Sequence, residues 1–486
     1  MPSRLSADRS APAHAEPVTV AKVLGVGDGV AIALSNISPS LSIGVGLGII
    51  GSAIAAPGLP AAFLLAFLPI IGIAVAYARL NEYEPNCGAA YIWVGRVLGP
   101  WWGYLIGWVI VASNVILLSY TTSLLGTYGM RALDALGLAS AAGASRAAAV
   151  TFGVLALGAL AWLAAYGVEA AARFQKVLVV VEAATVTLFC GWALVAADTT
   201  PFSWTWFSPA VFGSPAALAT GVVLSVFLYW GWEAAFLVTE ETVDRRTSSR
   251  VGFIALLVVL AMFLLASVAF QKATTPQELV EHGGAALPYI GGQLAGTTGK
   301  VVASVVLFLC TVSVILAVLI ATARQTLAMA REGVLSPVWA KLHPTHLTPA
   351  HGTALITAFA AALTVLSLAL GPVATVVVGA VTAVGILISG YYALTGIACA
   401  VLFARAGRRD LRTLLGSVAV PLLSGLVLAA LGVYLAYLNW TSTPSFAFDA
   451  SNGRFRTLLP VAIILLGLPL GVWRQHIRKA PRLTAG

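Results

Sequence analysis

About twelve apolar stretches, each long enough to cross a bilayer at 1.5 Å of rise per residue, recur along this chain and leave little else to fold. They fall near 26–54, 60–80, 100–126, 147–166, 174–196, 217–239, 251–271, 301–328, 352–371, 374–403, 417–438 and 457–474. The runs are continuous and do not alternate. Every backbone polar group in lipid must be paired within its own segment, so helices are expected and a barrel is not. A charged fraction of 9% and a mean hydropathy of +0.95 exclude a soluble globular protein. The first 20 residues, polar and rich in Ala and Pro, read as a disordered cytoplasmic tail with no cleavable signal; residues 476–486 read as a second tail.

Positive charge sets the orientation. With the N-terminus inside, about 21 of the 27 Lys and Arg fall on the cytoplasmic side, which places both termini there and the chain in the cell inner membrane. The clusters Arg245/Arg246/Arg250 and Arg405/Arg408/Arg409/Arg412 mark that side; their work is topology and contact with anionic membrane lipid, not nucleic-acid binding. Cys87, Cys190, Cys310 and Cys399 have no ligand-like spacing, and His343, His346 and His351 sit in a polar loop, so no metal site is implied. No phosphate-binding loop, no His-Glu-x-x-His helix and no nucleophile–base pair is present, so neither a cofactor nor an enzyme activity is expected. Trp93, Trp101 and Trp102 read as interfacial anchors, and the glycine rows Gly44/Gly48 and Gly99/Gly103/Gly107 as places where helices approach closely.

The informative positions are those where a helix is told to stop in mid-bilayer. In the first span, Ser35-Asn36-Ile37-Ser38-Pro39-Ser40 lies between apolar flanks. Pro39 pushes Ser38 out of helical geometry, and Ser followed by Pro also starts a helix. Two half-helices are expected there, with a simple proline kink as the bland alternative. In the sixth span, Phe227-Leu228-Tyr229-Trp230-Gly231-Trp232-Glu233 sets a glycine and an acid in an apolar helix. A carboxylate at that depth costs about 2.5 kcal/mol or more, so Glu233 needs a wet cavity, a proton or a partner. Paired interruptions in corresponding members of two repeats point to a transporter site. The half-helix N-termini suit a carboxylate and the C-termini an ammonium group, which together describe a small zwitterion.

An ordered set of motifs then resembles the amino acid–polyamine–organocation (APC) permeases. These are Leu24-Gly25 with Asp28 and Val30-Ala31; Glu84-Pro85-Asn86-Cys87-Gly88-Ala89-Ala90-Tyr91 with Gly99, Gly103-Tyr104 and Gly107-Trp108; Tyr229 to Glu233 with Glu240-Glu241-Thr242; and Arg324 to Gly333 with Leu335-Ser336-Pro337 and Thr348-Pro349. The resemblance implies an all-α LeuT-type fold of five plus five inverted-repeat helices with two more at the end, and alternating access with proton coupling or exchange. The domains expected are a transport core over 21–413, with repeats near 21–197 and 210–413, followed by two further helices over 414–475. The chain departs from the family's Gly-Ser-Gly stretch in the first helix, having Pro39-Ser40-Leu41 instead.

By this resemblance the unwound part of the first helix covers Ile37, Ser38, Pro39, Ser40, Leu41 and Ser42, and these residues, with Tyr229, Trp230 and Gly231, form the substrate site. Phe227 aligns with an aromatic gate, Asn114 borders the site from the third helix, and Glu233 is a gating or coupling residue. Glu182 stands where some relatives place a lysine and is read as a protonatable coupling residue. The expected function is secondary transport of amino acids, with an amine or polyamine carrier or a non-transporting nutrient sensor as alternatives. Proton is the expected coupling partner, and no oligomeric state is implied.

Overall fold

A computed structural model describes residues 25–54, 57–138, 145–166, 168–244, 246–282, 286–346, 348–408 and 410–473. Both predicted tails, Leu24, and the cluster members Arg245 and Arg409 lie outside the described residues.

The described chain is helical: α1 (Val26–Ile37), α2 (Leu47–Ile54), α3 (Leu59–Tyr83), α4 (Ala90–Leu98), α5 (Pro100–Ala135), α6 (Arg146–Tyr166), α7 (Val168–Ala196), α8 (Pro215–Tyr229), α9 (Ala234–Leu237), α10 (Thr247–Ala273), α11 (Pro276–His282), α12 (Ala286–Arg331), α13 (Ala350–Leu366), α14 (Val373–Gly407), α15 (Val420–Thr441) and α16 (Gly453–Trp473). Among the described residues, eleven segments are long and apolar enough to cross a membrane, running from Val26–Gly51 to Leu411–Thr441. The twelfth predicted stretch is α16, 21 residues with Pro460 and Pro469 inside it. The third span binds α16 through two of its carbonyls: Tyr104 Oη donates to Gly467 O at 2.6 Å and Trp108 Nε1 to Ile463 O at 2.7 Å.

Burial sorts the spans into centre and rim. In the first, sixth and eighth spans 72% of the most apolar window is inside the protein, against 28% for α6 and 22% for the eleventh span. The outer helices therefore meet lipid, and the inner ones meet each other. Close approach needs small residues: a Cβ on Gly103 would stand 2.6 Å from Gly95 Cα, and one on Gly44 2.5 Å from a Leu307 methyl. The expected role holds at Gly103 and Gly44 but not at Gly99, which has nothing within 4 Å of where a Cβ would stand and instead, at φ 118°, is the N-cap residue of α5. Trp93 does not behave as an interfacial anchor. It is 1% exposed, its Nε1 donates to Glu84 O at 2.8 Å, and its ring meets Tyr77 edge-on, so the loop after the second span takes it into the core.

Parts of three motifs that carry the resemblance, around Glu84, Glu240 and Glu332, are linked to one another. Cys87 N donates to Glu240 Oε1 at 3.0 Å, and Arg96 lies 3.7 Å from Glu84 and 3.8 Å from Glu332. Burial raises the Glu84 carboxyl above the usual range, and the Arg96 charge partly offsets it. Lys176 of α7 donates to Asp28 in the first turn of α1, tying the first half-helix to the fifth span.

Candidate functional site

Both expected interruptions are present. Ser38 leaves helical geometry at φ 44°, a left-handed conformation that costs an L-residue about 1–2 kcal/mol, and closes α1 by donating its N–H to Leu34 O at 2.8 Å. The break is narrower than the stretch from Ile37 to Ser42 that the resemblance implies. Helix resumes at Pro39, whose fixed φ suits a first helical position, and a π-helical segment, Ser42–Gly46, joins it to α2. In the sixth span α8 stops at Tyr229, residues 230–233 form turns, and α9 follows.

The two breaks touch. Gly231 has φ 113°, and a Cβ there would stand 2.9 Å from the Asn36 carbonyl and 3.0 Å from Ile37 N. Only glycine admits both the conformation and that backbone approach. Asn36 Nδ2 donates to Gly231 O at 3.0 Å, fastening the end of α1 to the sixth-span turn.

Beside this contact lies a cavity of about 60 Å³. The first span lines it with Asn36, Ile37, Leu41, Ser42, Val45, Gly46 and Ile49; the sixth with Phe227, Leu228 and Trp230. Leu117, Tyr120 and Leu124 of α5, Val314 of α12, and Val377 and Val381 of α14 close the remaining sides. No Asp, Glu, Lys, Arg or His is among these lining residues. Phe227 and Trp230 are 7% and 8% exposed, with ring centroids 6.0 Å apart, and form an aromatic wall.

Of the residues singled out from sequence, Ile37, Leu41, Ser42, Phe227 and Trp230 line the cavity, while Ser38, Pro39, Ser40 and Gly231 shape the breaks beside it. Tyr229 turns the other way: its Oη donates to Phe63 O at 3.3 Å and its ring packs on Phe63 and Phe263. Asn114 is half-buried on α5 and is not a lining residue. The lining from Leu117, Tyr120, Leu124, Val314, Val377 and Val381 carried no sequence signal beyond helical spacing.

The two acids serve the breaks without lining the cavity. Glu233 accepts from Gly231 N at 3.1 Å, Tyr391 Oη at 2.6 Å and Tyr392 Oη at 2.9 Å, so the sixth-span turn is held to α14. Glu182 is 2% exposed in α7, and its Oε2 accepts a long hydrogen bond, 3.5 Å, from Ser38 Oγ. Cys310 and Ser313 of α12 stand beside the same carboxyl. Glu182 Oε1, Ser313 Oγ and Ser40 Oγ are buried without a hydrogen-bond partner. In the loop before α13, His343 Nδ1 accepts from the N–H groups of Thr345 and His346 at 3.3 Å and so organises a turn.

Comparison with known proteins agrees with this geometry. The model of the family described as amino acid permease matches residues 28–469. The chain is 29% identical over 332 residues to the methylthioribose transporter of Bacillus subtilis strain 168, covering 64% of this chain and 68% of that one. It is 26% identical over 322 residues to a branched-chain amino acid permease of the same organism, covering 63% and 68%. To the Asc-type amino acid transporter 1 of Mus musculus it is 27% identical over 288 residues, covering 57% and 52%. Broken first and sixth spans meeting at a cavity, on an all-helical multi-pass scaffold matched over nearly its whole length, establish that the chain belongs to the amino acid permease family of the APC superfamily.

Proposed function

We propose that this protein is a secondary transporter of neutral amino acids with compact apolar side chains, working by alternating access in the cell membrane with both termini in the cytoplasm. The observation that carries the reading is the cavity where the two breaks meet, walled mainly by aliphatic and aromatic side chains, with Asn36 and Ser42 among them but no Asp, Glu, Lys, Arg or His. A cationic side chain or a polyamine would lose its hydration there and find no counter-charge, a penalty of several kcal/mol. A zwitterion needs only backbone. First-turn N–H groups after Ser38 face its carboxylate, and last-turn carbonyls of α1 and α8 face its ammonium group. Phe227 and Trp230 cover its side chain.

Glu233 does not select a cation in this reading. Both of its oxygens are already used, and it acts as a latch holding the sixth-span turn to α14. Glu182 carries the coupling proton. Its hydrogen bond to Ser38 links its protonation to the shape of the first break, so gaining or losing the proton changes what the substrate carboxylate meets.

Uptake into proteoliposomes tests both parts. Unlabelled neutral apolar amino acids should compete with radiolabelled leucine about tenfold or more better than arginine or putrescine. Methylthioribose, the cargo named for one relative, has neither ammonium nor carboxylate and should compete no better than putrescine. Preferred uptake of arginine or putrescine overturns the substrate class. Glu182→Gln should leave leucine exchange running but flatten its dependence on pH; full retention of that dependence removes Glu182 from coupling.

A further inference from the structure

A second, larger cavity of about 360 Å³ lies away from the first, between the third and tenth spans of the core and the last two helices, α15 and α16. Val109, Leu387, Val433 and Ile464 represent its four walls. Its polar side chains are all occupied elsewhere: Ser389 Oγ donates to Gly385 O, Tyr391 Oη to Glu233, and Thr457 Oγ1 to Ala436 O and Gly453 O. The walls therefore offer a polar ligand nothing to bind. The eight-residue stretches from Ala429 to Ala436 and from Thr457 to Ile464 make it roughly 10 Å long, the shape of an extended hydrocarbon chain.

One end of this groove carries a cation. Arg454 lies one helical turn beyond Thr457 on α16, and Trp440 one turn beyond Ala436 on α15. The Arg454 guanidinium lies 5.1 Å from the centre of the Trp440 ring; its Nε is buried without a hydrogen-bond partner, and no carboxylate of the described residues lies in ion-pair range. Arg456, by contrast, is spent on Ala450 O at 2.7 Å. A free guanidinium beside a Trp, at the mouth of an apolar groove between membrane helices, matches a phospholipid: phosphate outside, acyl chain within.

We infer that this groove is a phospholipid site, with one acyl chain lying between α15, α16 and the core and the lipid phosphate held by Arg454. The occupant is neither a free fatty acid nor a second copy of the chain.

Native mass spectrometry of the purified protein, with palmitoyl-oleoyl phosphatidylglycerol or stearate added in detergent, tests this. The wild-type protein should keep one phosphatidylglycerol molecule under conditions that strip bulk lipid. Ala429→Phe, which fills the groove, should abolish retention. Arg454→Gln should weaken it about fivefold or more, without lowering the thermal unfolding temperature. If Ala429→Phe does not fold, Val433→Trp, at a lipid-facing edge of the same groove, replaces it. Full retention by the groove-filled protein, equal retention by Arg454→Gln, selective retention of stearate, or a dimer that forms as lipid is lost would each overturn the assignment.

Discussion

Gly231 is the residue on which the two broken helices depend. Its left-handed φ and its 2.9 Å clearance to the Asn36 carbonyl leave no space for a methyl group. Gly231→Ala forces the breaks apart at a cost of about 1–3 kcal/mol, and uptake should fall roughly tenfold or more while the protein still assembles in the membrane. Normal uptake by this variant would show that the backbones need not touch. Phe227 is a simpler case: Phe227→Ala opens one wall of the cavity, and the KM for a neutral amino acid should rise about tenfold with a smaller change in kcat. Both residues stand out in the sequence, one as a glycine before an intramembrane acid and the other as an aromatic at the matching family position. Asn36 does not. An Asn in a Ser-rich break has many uses, and only its bond to Gly231 O reveals which one it has.

At the level of helices, the breaks are held open by neighbours. Glu233, Tyr391 and Tyr392 join the sixth span to α14, while Glu182 and Ser38 join the fifth to the first. Tyr391→Phe and Tyr392→Phe each remove one donor to the Glu233 carboxyl and should each cost about 1–3 kcal/mol of stability, read as a lower thermal unfolding temperature. The two share one acceptor, so the double variant should cost less or more than the sum, and strict additivity would argue against a single latch. The breaks themselves are legible because Pro, Gly and an acid violate the rules for a membrane helix. Their extent is not. Pro39 starts a helix as readily as it ends one, so a single left-handed residue and a π-helical turn replace the longer unwound stretch that the family pattern implies.

Across the whole molecule, the spans are plain in the sequence because runs of about 20 apolar residues have few other fates. The cavity is not plain. Val314, Val377 and Val381 face an internal space, while Val433 is 71% exposed on the outside, and in lipid both environments select the same side chains. Trp93 misleads for a related reason: a Trp near a predicted boundary fits an interfacial belt or a core equally well, and its partner Glu84 O is in place only once the preceding loop has folded. The salt link from Lys176 to Asp28 is partly exposed and so holds α1 to α7 only weakly.

Ser42 lies on the cavity wall between the two breaks, and its accessibility reports directly on what fills that space. In a protein with Cys87, Cys190, Cys310 and Cys399 replaced, Ser42→Cys should react with a small methanethiosulfonate reagent. A saturating transported amino acid should slow that reaction about tenfold, and putrescine should leave it unchanged. Labelling at the same rate with and without the transported amino acid would contradict the placement of the substrate between the broken first and sixth helices.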